Sequence, residues 1–284
     1  MTKFVALVDG SIYSQSVCDH AAWAATRAGA SVELLHVLGR RAPFGTPSDL
    51  SGAVGLGART SLLEELAELD VARAKLAQKQ GRAILDDATA ILEKDGVASV
   101  TAQLRIGDLV EEVAASEADA DMVMVGKRGE AADFAKPHLG SNLERIVRSS
   151  VKPVFVASRA FKPIERFLIA YDGGTSAMKA VDYVSRSPIF AGLECHLLTV
   201  GAEDSEAAKR LEDARALLGA AGYEVRAKLV QGQAEAVIAR EVEEAGIGLV
   251  VMGAYGHSRI RTLIIGSTTS EMLRACKVPV LLFR

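Results

Sequence analysis

Residues Leu249 to Cys276 read LVVMGAYGHSRIRTLIIGSTTSEMLRAC, and their pattern indicates the fold class. It opens with a continuous apolar run ending at Gly253, a pattern typical of a parallel strand that is buried on both faces. Gly256 follows after two residues, nine more intervene, and Gly266-Ser267 then opens a segment with helical spacing. The stretch therefore predicts a strand, a glycine-containing loop and a helix, the repeating unit of a doubly wound parallel sheet.

The glycines and hydroxyl residues of this stretch suit a phosphate group. Glycine lets a backbone approach a ligand closely, and the free N–H groups at a helix N-terminus favour an anion. Ser267, Thr268 and Thr269 add hydroxyl donors, and His257 adds positive charge together with the arginines that follow it. Ordinary turn and capping chemistry is the alternative, because Gly ends strands and Ser or Thr caps helices in many α/β domains.

Two better-known phosphate motifs are excluded. A P-loop needs a lysine directly after its second glycine, and none follows Gly266. The dinucleotide-binding turn would follow the first strand, where the chain instead reads Asp172-Gly173-Gly174-Thr175. Because the first and fourth strands of such a sheet lie side by side, we expect Asp172 and Gly253 to face one crevice. Asp172 is equally suited to cap the helix that follows it.

The chain repeats itself. The run Phe4-Val-Ala-Leu-Val-Asp9-Gly10 returns 163 residues later as Phe167-Leu-Ile-Ala-Tyr-Asp172-Gly173, whereas Gly140-Ser141 returns only 126 residues later as Gly266-Ser267. The first half therefore carries 37 extra residues between its second strand and its next helix. We predict two copies of one domain, residues 1–160 and 161–284, with a loop and helix insert at about residues 39–82 of the first copy.

The inserted segment has two parts. Gly39 to Ala58 is rich in Gly, Pro and Ser, which favours a loop. Arg59 to Asp95 carries leucine and isoleucine at helical spacing among charged residues. One interpretation is a long surface helix that continues into the second helix of the fold, and the other is an arm that contacts a second copy or a partner.

Composition restricts the class of protein. The 284 residues are 49% hydrophobic and 24% charged with a net charge of −3, so we expect neither a dedicated nucleic-acid binder nor a polybasic membrane anchor. The three cysteines lie far apart and the five histidines lack metal-ligand spacing, so we expect no disulfide framework and no metal site. No apolar run is long enough for a membrane helix, and Asp9 comes too early for a signal peptide. These features predict a cytoplasmic protein.

The spacing Gly253-x2-Gly256-x9-Gly266-Ser267, the strand that follows at Val278-Pro-Val-Leu, and Asp172-Gly173 after the first strand together resemble the universal stress protein family. The resemblance covers nearly the whole chain twice. It implies a tandem member with two Rossmann-like, doubly wound α/β domains, each with a five-stranded parallel sheet and helices on both faces. It also implies ATP binding where the motif is intact, since another branch of the family lacks the motif and does not bind ATP.

The resemblance further implies cofactor-binding residues at the ends of strands and at the start of the last helix of each half. In the second half they are Asp172, Val200, Gly253, Gly256, His257, Gly266, Ser267, Thr268 and Thr269. In the first half the corresponding residues are Asp9, Val37, Gly126, Gly129, Gly140 and Ser141. The first half departs from the motif, because ten residues precede Gly140 where nine are expected and Asn142-Leu143 replaces Thr-Thr. We therefore expect binding chiefly in the second half.

These observations predict a stress-response regulatory protein that binds ATP, with nucleotide as a conformational or assembly ligand. No catalytic residue is predicted, and we expect at most slow hydrolysis with Asp172 helping to hold Mg²⁺. The expected partners are adenine nucleotide and a second copy, as a homodimer or a self-associating tandem, without nucleic acid or membrane. The alternative is a dimeric scaffold that binds no nucleotide. An adenylyl-transfer enzyme is disfavoured, because neither half carries that class's His-x-Gly-His or Ser-Gly-Gly-x-Asp-Ser loop.

Overall fold

Strands and helices alternate within each half of the chain in the computed structural model, which describes residues 2–39, 56–127, 141–202, 205–254 and 267–284. The first half contains β1 (Lys3–Leu7), α1 (Ile12–Ala28), β2 (Ser31–Gly39), α2 (Leu56–Lys94), β3 (Val100–Gly107), α3 (Leu109–Glu117), β4 (Met122–Gly126), α4 (Ser141–Ser149) and β5 (Val154–Ala157). The second half contains β6 (Arg166–Ala170), α5 (Thr175–Arg186), β7 (Glu194–Val200), α6 (Ser205–Ala220), β8 (Val225–Val230), α7 (Ala234–Glu244), β9 (Leu249–Gly253), α8 (Ser267–Ala275) and β10 (Val280–Phe283).

The ten strands form one sheet in the order β3-β2-β1-β4-β5-β10-β9-β6-β7-β8. Within each half, all the strand pairs are parallel. The first strand of each half lies between the second and the fourth, which is the arrangement of a doubly wound domain. The predicted doubly wound α/β fold, with five parallel strands in each half, is therefore confirmed, and the two sets of strands form one continuous sheet.

The two halves join where β5 pairs with β10, and this pair alone among the described strand pairs is antiparallel. Phe155 faces Leu281 across the junction, and both side chains are 1% exposed. The sequence analysis did not predict this junction. At this junction the edge strand of one half pairs with the edge strand of the other. The backbone groups of both edge strands are therefore paired within one chain.

Apolar side chains cover both faces of the sheet, because successive residues of a strand point to opposite sides. Phe4 and Ala6 of β1 pack in the core beneath α1, α2, α5 and α6. Val5 and Leu7 of the same strand pack in the core beneath α3, α4, α7 and α8. Burial on both sides explains why inner strands such as β4 and β9 read as unbroken apolar runs.

Helix α2 is one continuous element of 39 residues. Its last third packs on the sheet through Leu85, Ala88 and Leu92, all nearly fully buried. Most of residues 64–80 are exposed, including Leu69, which is 53% exposed, and Leu76, which is 65% exposed. The interpretation of a surface helix that continues into the second helix of the fold is therefore confirmed. Residues 40–55 of the predicted loop lie outside the described ranges.

Candidate functional site

Strands β6 and β9 of the second half end beside each other, where a doubly wound sheet forms its ligand crevice. The two strands are parallel neighbours, with Phe167 opposite Leu249 and Ala170 opposite Met252. Asp172 and Gly253 therefore follow at the same edge of the sheet, as the sequence predicts. The strand order reverses at this point, and open α/β sheets bind their ligands at such reversals.

Asp172 closes a tight turn at the end of β6. Its side chain is exposed, and its Oδ1 accepts the N–H of Gly174 at 2.8 Å. Gly173, between them, has a φ of 74°, a left-handed conformation that favours glycine. The N-cap of α5 is Gly174, which has no side-chain cap. The alternative in which Asp172 caps α5 is therefore wrong, because its carboxylate stabilises the turn that precedes the cap.

Gly253 allows a close approach between a strand and a helix. A Cβ at this position would lie 3.0 Å from Cβ of Ser176 and 3.3 Å from the backbone N of Ala177, in the first turn of α5. Both distances are shorter than ordinary van der Waals contacts between such atoms. The glycine is thus needed for α5 to pack against β9, a role distinct from the close ligand approach that the sequence suggested.

Thr269 connects the first turn of α8 to the end of β9. Its side chain is buried, and its Oγ1 donates a hydrogen bond to the carbonyl of Ala254 at 3.0 Å. The bond holds the N-terminus of α8 beside the crevice, where the unpaired N–H groups of a helix start attract anions. The hydroxyl of Thr269 itself is engaged within the protein.

The other predicted residues of the second half are described to different extents. Val200 ends β7 opposite Val230, and it is half-buried at the same edge of the sheet. Ser267 and Thr268 begin α8, and only their backbone is described. Gly256, His257 and Gly266 lie outside the described residues.

In the first half, the equivalent acid is tied into a local hydrogen-bond network. Oδ1 of Asp9 accepts the N–H of Ser11 at 3.0 Å and the hydroxyl of Ser14 at 3.2 Å. The Ser14 hydroxyl oxygen in turn accepts the N–H of Gly10 at 2.9 Å. Ala177 occupies the position of Ser14 in the second half, 163 residues later, so Asp172 has no corresponding hydroxyl. The two acids therefore have different surroundings.

The first-half glycine segment also differs in its packing. Leu143 occupies the position of Thr269 and is 2% exposed, so no hydroxyl ties α4 to the end of β4 there. Lys127, directly after β4, donates a hydrogen bond to the carbonyl of Cys276 in the second half. Val37 and Gly126 lie near the ends of β2 and β4 as predicted. Only the backbone of Ser141 is described, and Gly129 and Gly140 lie outside the described residues.

Arg210 of α6 lies against the turn that follows β6, and sequence reasoning did not select it. A Cβ at Gly173 would lie 3.0 Å from Cδ and 3.1 Å from Nε of Arg210. In the first half, a Cβ at Gly10 would lie 2.7 Å from Cδ1 of Ile84. Gly10 and Gly173 are 163 residues apart, and Ile84 and Arg210 are 126 residues apart, which are the two offsets of the repeat. Aligning α2 with α6 at the second offset matches Ile84 with Arg210, but it does not reveal that either side chain contacts a glycine.

Tyr171 directly precedes Asp172 and belongs to the core. It is 5% exposed, and its hydroxyl donates to Sδ of Met178 at 2.9 Å. Burial raises the pKa of the Tyr171 phenol, and the nearby charge of Arg210 opposes that rise in part. The phenol therefore stays protonated near neutral pH.

The remaining candidates for chemistry are buried or isolated. Cys18, Cys195 and Cys276 are buried free thiols, and burial raises the pKa of Cys18 and of Cys195 to about 12. A protonated thiol is a poor nucleophile. Among the described residues, no three His, Cys, Asp or Glu side chains are grouped so as to hold a metal ion. In the same part of the chain, no helix combines the length and apolar character needed to cross a membrane.

Comparisons with known proteins identify the family. The model of the universal stress protein family matches twice, over residues 1–158 and 163–284. The chain is 39% identical over 287 aligned residues to the universal stress protein Slr1230 of Synechocystis sp., and the alignment covers all of both chains.

Solved structures show the same fold. A universal stress protein from Archaeoglobus fulgidus superposes with a TM-score of 0.73 at 23% identity, covering 99% of this chain and 98% of that one. A putative universal stress protein from Pseudomonas aeruginosa superposes with a TM-score of 0.64 at 15% identity, covering 100% of this chain and 93% of that one.

Proposed function

Because the chain belongs to the universal stress protein family as a tandem member, we propose that it is a stress-response regulatory protein that binds ATP, chiefly in its C-terminal half. The nucleotide acts as a ligand that biases conformation or assembly. One observation carries the proposal: the hydrogen bond from Thr269 to the Ala254 carbonyl. It holds the N-terminus of α8 at the end of β9, next to the strand that carries Asp172.

Different residues of the crevice suit different parts of the nucleotide. The N–H groups at the start of α8, with the hydroxyls of Ser267 and Thr268, suit the phosphates. Asp172 and the segment after Val200 lie at the neighbouring strand ends and suit the nucleoside. The sequence motif assigns Gly256, His257 and Gly266 to the phosphate-binding loop. When Mg²⁺ accompanies ATP, the exposed carboxylate of Asp172 offers it an oxygen ligand.

We propose that ATP is held and at most slowly hydrolysed. Oδ1 of Asp172 already accepts the Gly174 N–H. The Tyr171 hydroxyl donates to Met178, and burial raises its pKa, so it stays protonated and is not available as a base. Neither group is arranged to activate a water molecule. The cytoplasmic location and the lack of a nucleic-acid partner stay predictions from composition.

A matched pair of variants tests the proposal. Gly266→Val places a branched side chain in the second-half loop, and Gly140→Val makes the same change at the equivalent position of the first half. Binding of labelled ATP is measured by equilibrium dialysis, and mass spectrometry identifies nucleotide in the purified protein. We expect Gly266→Val to abolish binding and Gly140→Val to retain most of it.

Two outcomes would contradict the proposal. Wild-type protein that carries no nucleotide and binds no ATP from micromolar to millimolar concentration would overturn ATP binding altogether. Loss of binding in Gly140→Val, with binding retained in Gly266→Val, would assign the site to the first half.

A second candidate function, interaction with a second copy, is favoured by the exposed part of α2. Leu69 and Leu76 are seven residues apart, so they share one face of the helix. Exposed leucines on one face are typical of a helix that packs on a partner. The double variant Leu69→Glu with Leu76→Glu should then shift a dimer to monomer in sedimentation velocity and leave ATP affinity unchanged. A wild-type monomer at micromolar concentration would exclude this function.

A further inference from the structure

We propose that Arg210 determines the base specificity of the second-half site, because its guanidinium group stacks on the nucleobase. This inference rests on the proposed nucleotide binding and names a binding residue outside the glycine motif. Three observations support the inference. Arg210 packs on Gly173, it lies at the end of the crevice where the nucleoside would bind, and an isoleucine replaces it in the first half.

The contact with Gly173 fixes the position of the Arg210 side chain up to its guanidinium group. Cδ and Nε of Arg210 lie 3.0 and 3.1 Å from where a Cβ of Gly173 would stand, so the side chain lies directly on the turn after β6. Nη1 is 3.4 Å from Oε1 of Glu206, whose side chain is 78% exposed. Such a solvent-exposed ion pair is weak, so it does not hold the guanidinium away from a ligand. The Arg210 side chain is 43% exposed and accessible from solvent.

The position of α6 decides which end of a nucleotide Arg210 meets. Helix α8, whose N-terminus suits the phosphates, packs with α7 on one face of the sheet. Helix α6 packs with α5 on the opposite face, near β7 and β8. A nucleotide with its phosphates at α8 extends from β9 across β6 towards β7. Arg210, beside the end of β6, therefore lies at the nucleoside end of the ligand.

The chemistry of the guanidinium group suits a base. It is planar, carries only hydrogen-bond donors and is weakly hydrated, so it stacks on aromatic faces where an ammonium group does not. Contacts between a cation and an aromatic face strengthen binding by about two- to thirtyfold, depending on solvent exposure. A purine offers a larger face than a pyrimidine. Arg210 should therefore favour ATP over CTP.

The first half supports this assignment by contrast. Ile84 packs on Gly10 as Arg210 packs on Gly173, and both glycines have a left-handed φ, of 77° and 74°. The neighbouring core residues Leu85 and Leu211 are equally buried and keep the same offset, so the two helices are in register. The first half thus presents a methyl group where the second half presents a cation.

Three variants of α6 test the inference. Arg210→Ile installs the first-half residue, and Arg210→Lys keeps the charge but loses the planar group. Arg215→Ile is the matched control, because Arg215 is also a partly exposed arginine of α6 in a surface ion pair, with Glu212. The affinities of ATP, adenosine and CTP are measured for each by equilibrium dialysis, with circular dichroism as a check on folding.

We expect Arg210→Ile to weaken the binding of ATP and of adenosine by the same factor, about fivefold, and to reduce the preference for ATP over CTP. Arg210→Lys should recover part of that preference, and Arg215→Ile should match wild type. Loss of ATP affinity without loss of adenosine affinity would indicate a phosphate contact and overturn the inference. Unchanged affinities in Arg210→Ile would overturn it while leaving nucleotide binding intact. A wild-type protein that binds none of the three ligands would overturn both proposals.

Discussion

Phe155 of β5 lies directly opposite Leu281 of β10 in the antiparallel pair that joins the two halves into one sheet. Both side chains belong to the core on the face that α1 and α5 cover, so this core runs across the junction without interruption. The halves therefore share apolar burial as well as backbone hydrogen bonds. Shared burial of this kind couples the unfolding of two repeats.

Phe155→Ala should destabilise both halves together. Removal of a buried phenyl ring costs about 3–5 kcal/mol of unfolding free energy. Trp23, the single tryptophan, lies in α1 of the first half, so its fluorescence reports that half while far-UV circular dichroism reports the whole chain. Urea unfolding followed by both signals should give coincident midpoints, lowered equally in the variant.

The control for this variant is Val151→Ala. Val151 is 74% exposed, so its truncation should change stability by less than about 0.5 kcal/mol. Separate midpoints for fluorescence and circular dichroism in the wild-type protein would show that the halves unfold independently.

Gly173→Ala and Gly192→Ala separate backbone strain from the contact with Arg210. Both glycines have a φ of 74°, so alanine should cost about 1–2 kcal/mol at either position. A Cβ at Gly192 would meet nothing within 4 Å, whereas one at Gly173 would displace Arg210. Chemical denaturation should show similar losses of stability, and only Gly173→Ala should weaken ATP binding. Equal ATP affinities in the two variants would mean that the position of Arg210 does not affect the ligand.

Thr269→Val should weaken ATP binding by releasing the first turn of α8 from β9. The change keeps the side-chain shape but leaves the Ala254 carbonyl without its donor, at a cost of about 1–3 kcal/mol in unfolding free energy. Thr89→Val is the matched control, because the Thr89 hydroxyl donates to the Leu85 carbonyl within α2, away from the crevice. Calorimetric titration with ATP should show weaker binding only for Thr269→Val. Equal affinity in both variants would contradict the anchoring role of Thr269.

Stability should fall as the pH is lowered towards 4, because His20 is buried in its neutral form. Its Nδ1–H donates to the Ser16 carbonyl at 2.6 Å, and its ring lies between Phe155 and Phe161. Burial lowers the pKa of His20 from 6.5 to about 4, although the bond to Ser16 acts in the opposite direction. Between these values the unfolded chain binds a proton that the folded chain does not.

The loss of unfolding free energy that His20 causes is therefore absent above about pH 6.5. It grows below that pH and levels off near pH 4 at about 3 kcal/mol. Urea unfolding at a series of pH values measures it, and His20→Gln should reduce the slope over this range. An unchanged slope in that variant would assign the acid sensitivity to other groups.

Local sequence patterns were sufficient to predict much of the fold. The apolar runs at Phe4 and Phe167 predicted strands, and their common offset predicted two copies of one domain. The adjacency of Asp172 and Gly253 followed from the strand order of a doubly wound sheet, which the structure has. The role of Gly253 did not follow, because glycine at a strand end suits either a ligand or a helix, and only the distance to Ser176 distinguishes them.

The strands, the helices and their order are predictable from the sequence, because hydrophobic periodicity and turn residues act over a few positions along the chain. The pairing of β5 with β10, and the contact of Arg210 with Gly173 where Ile84 contacts Gly10, are known only from the folded chain. These contacts join residues far apart in the chain, and they depend on side-chain distances that no local pattern encodes. The repeat made the two halves alike in fold, and packing made their crevices different.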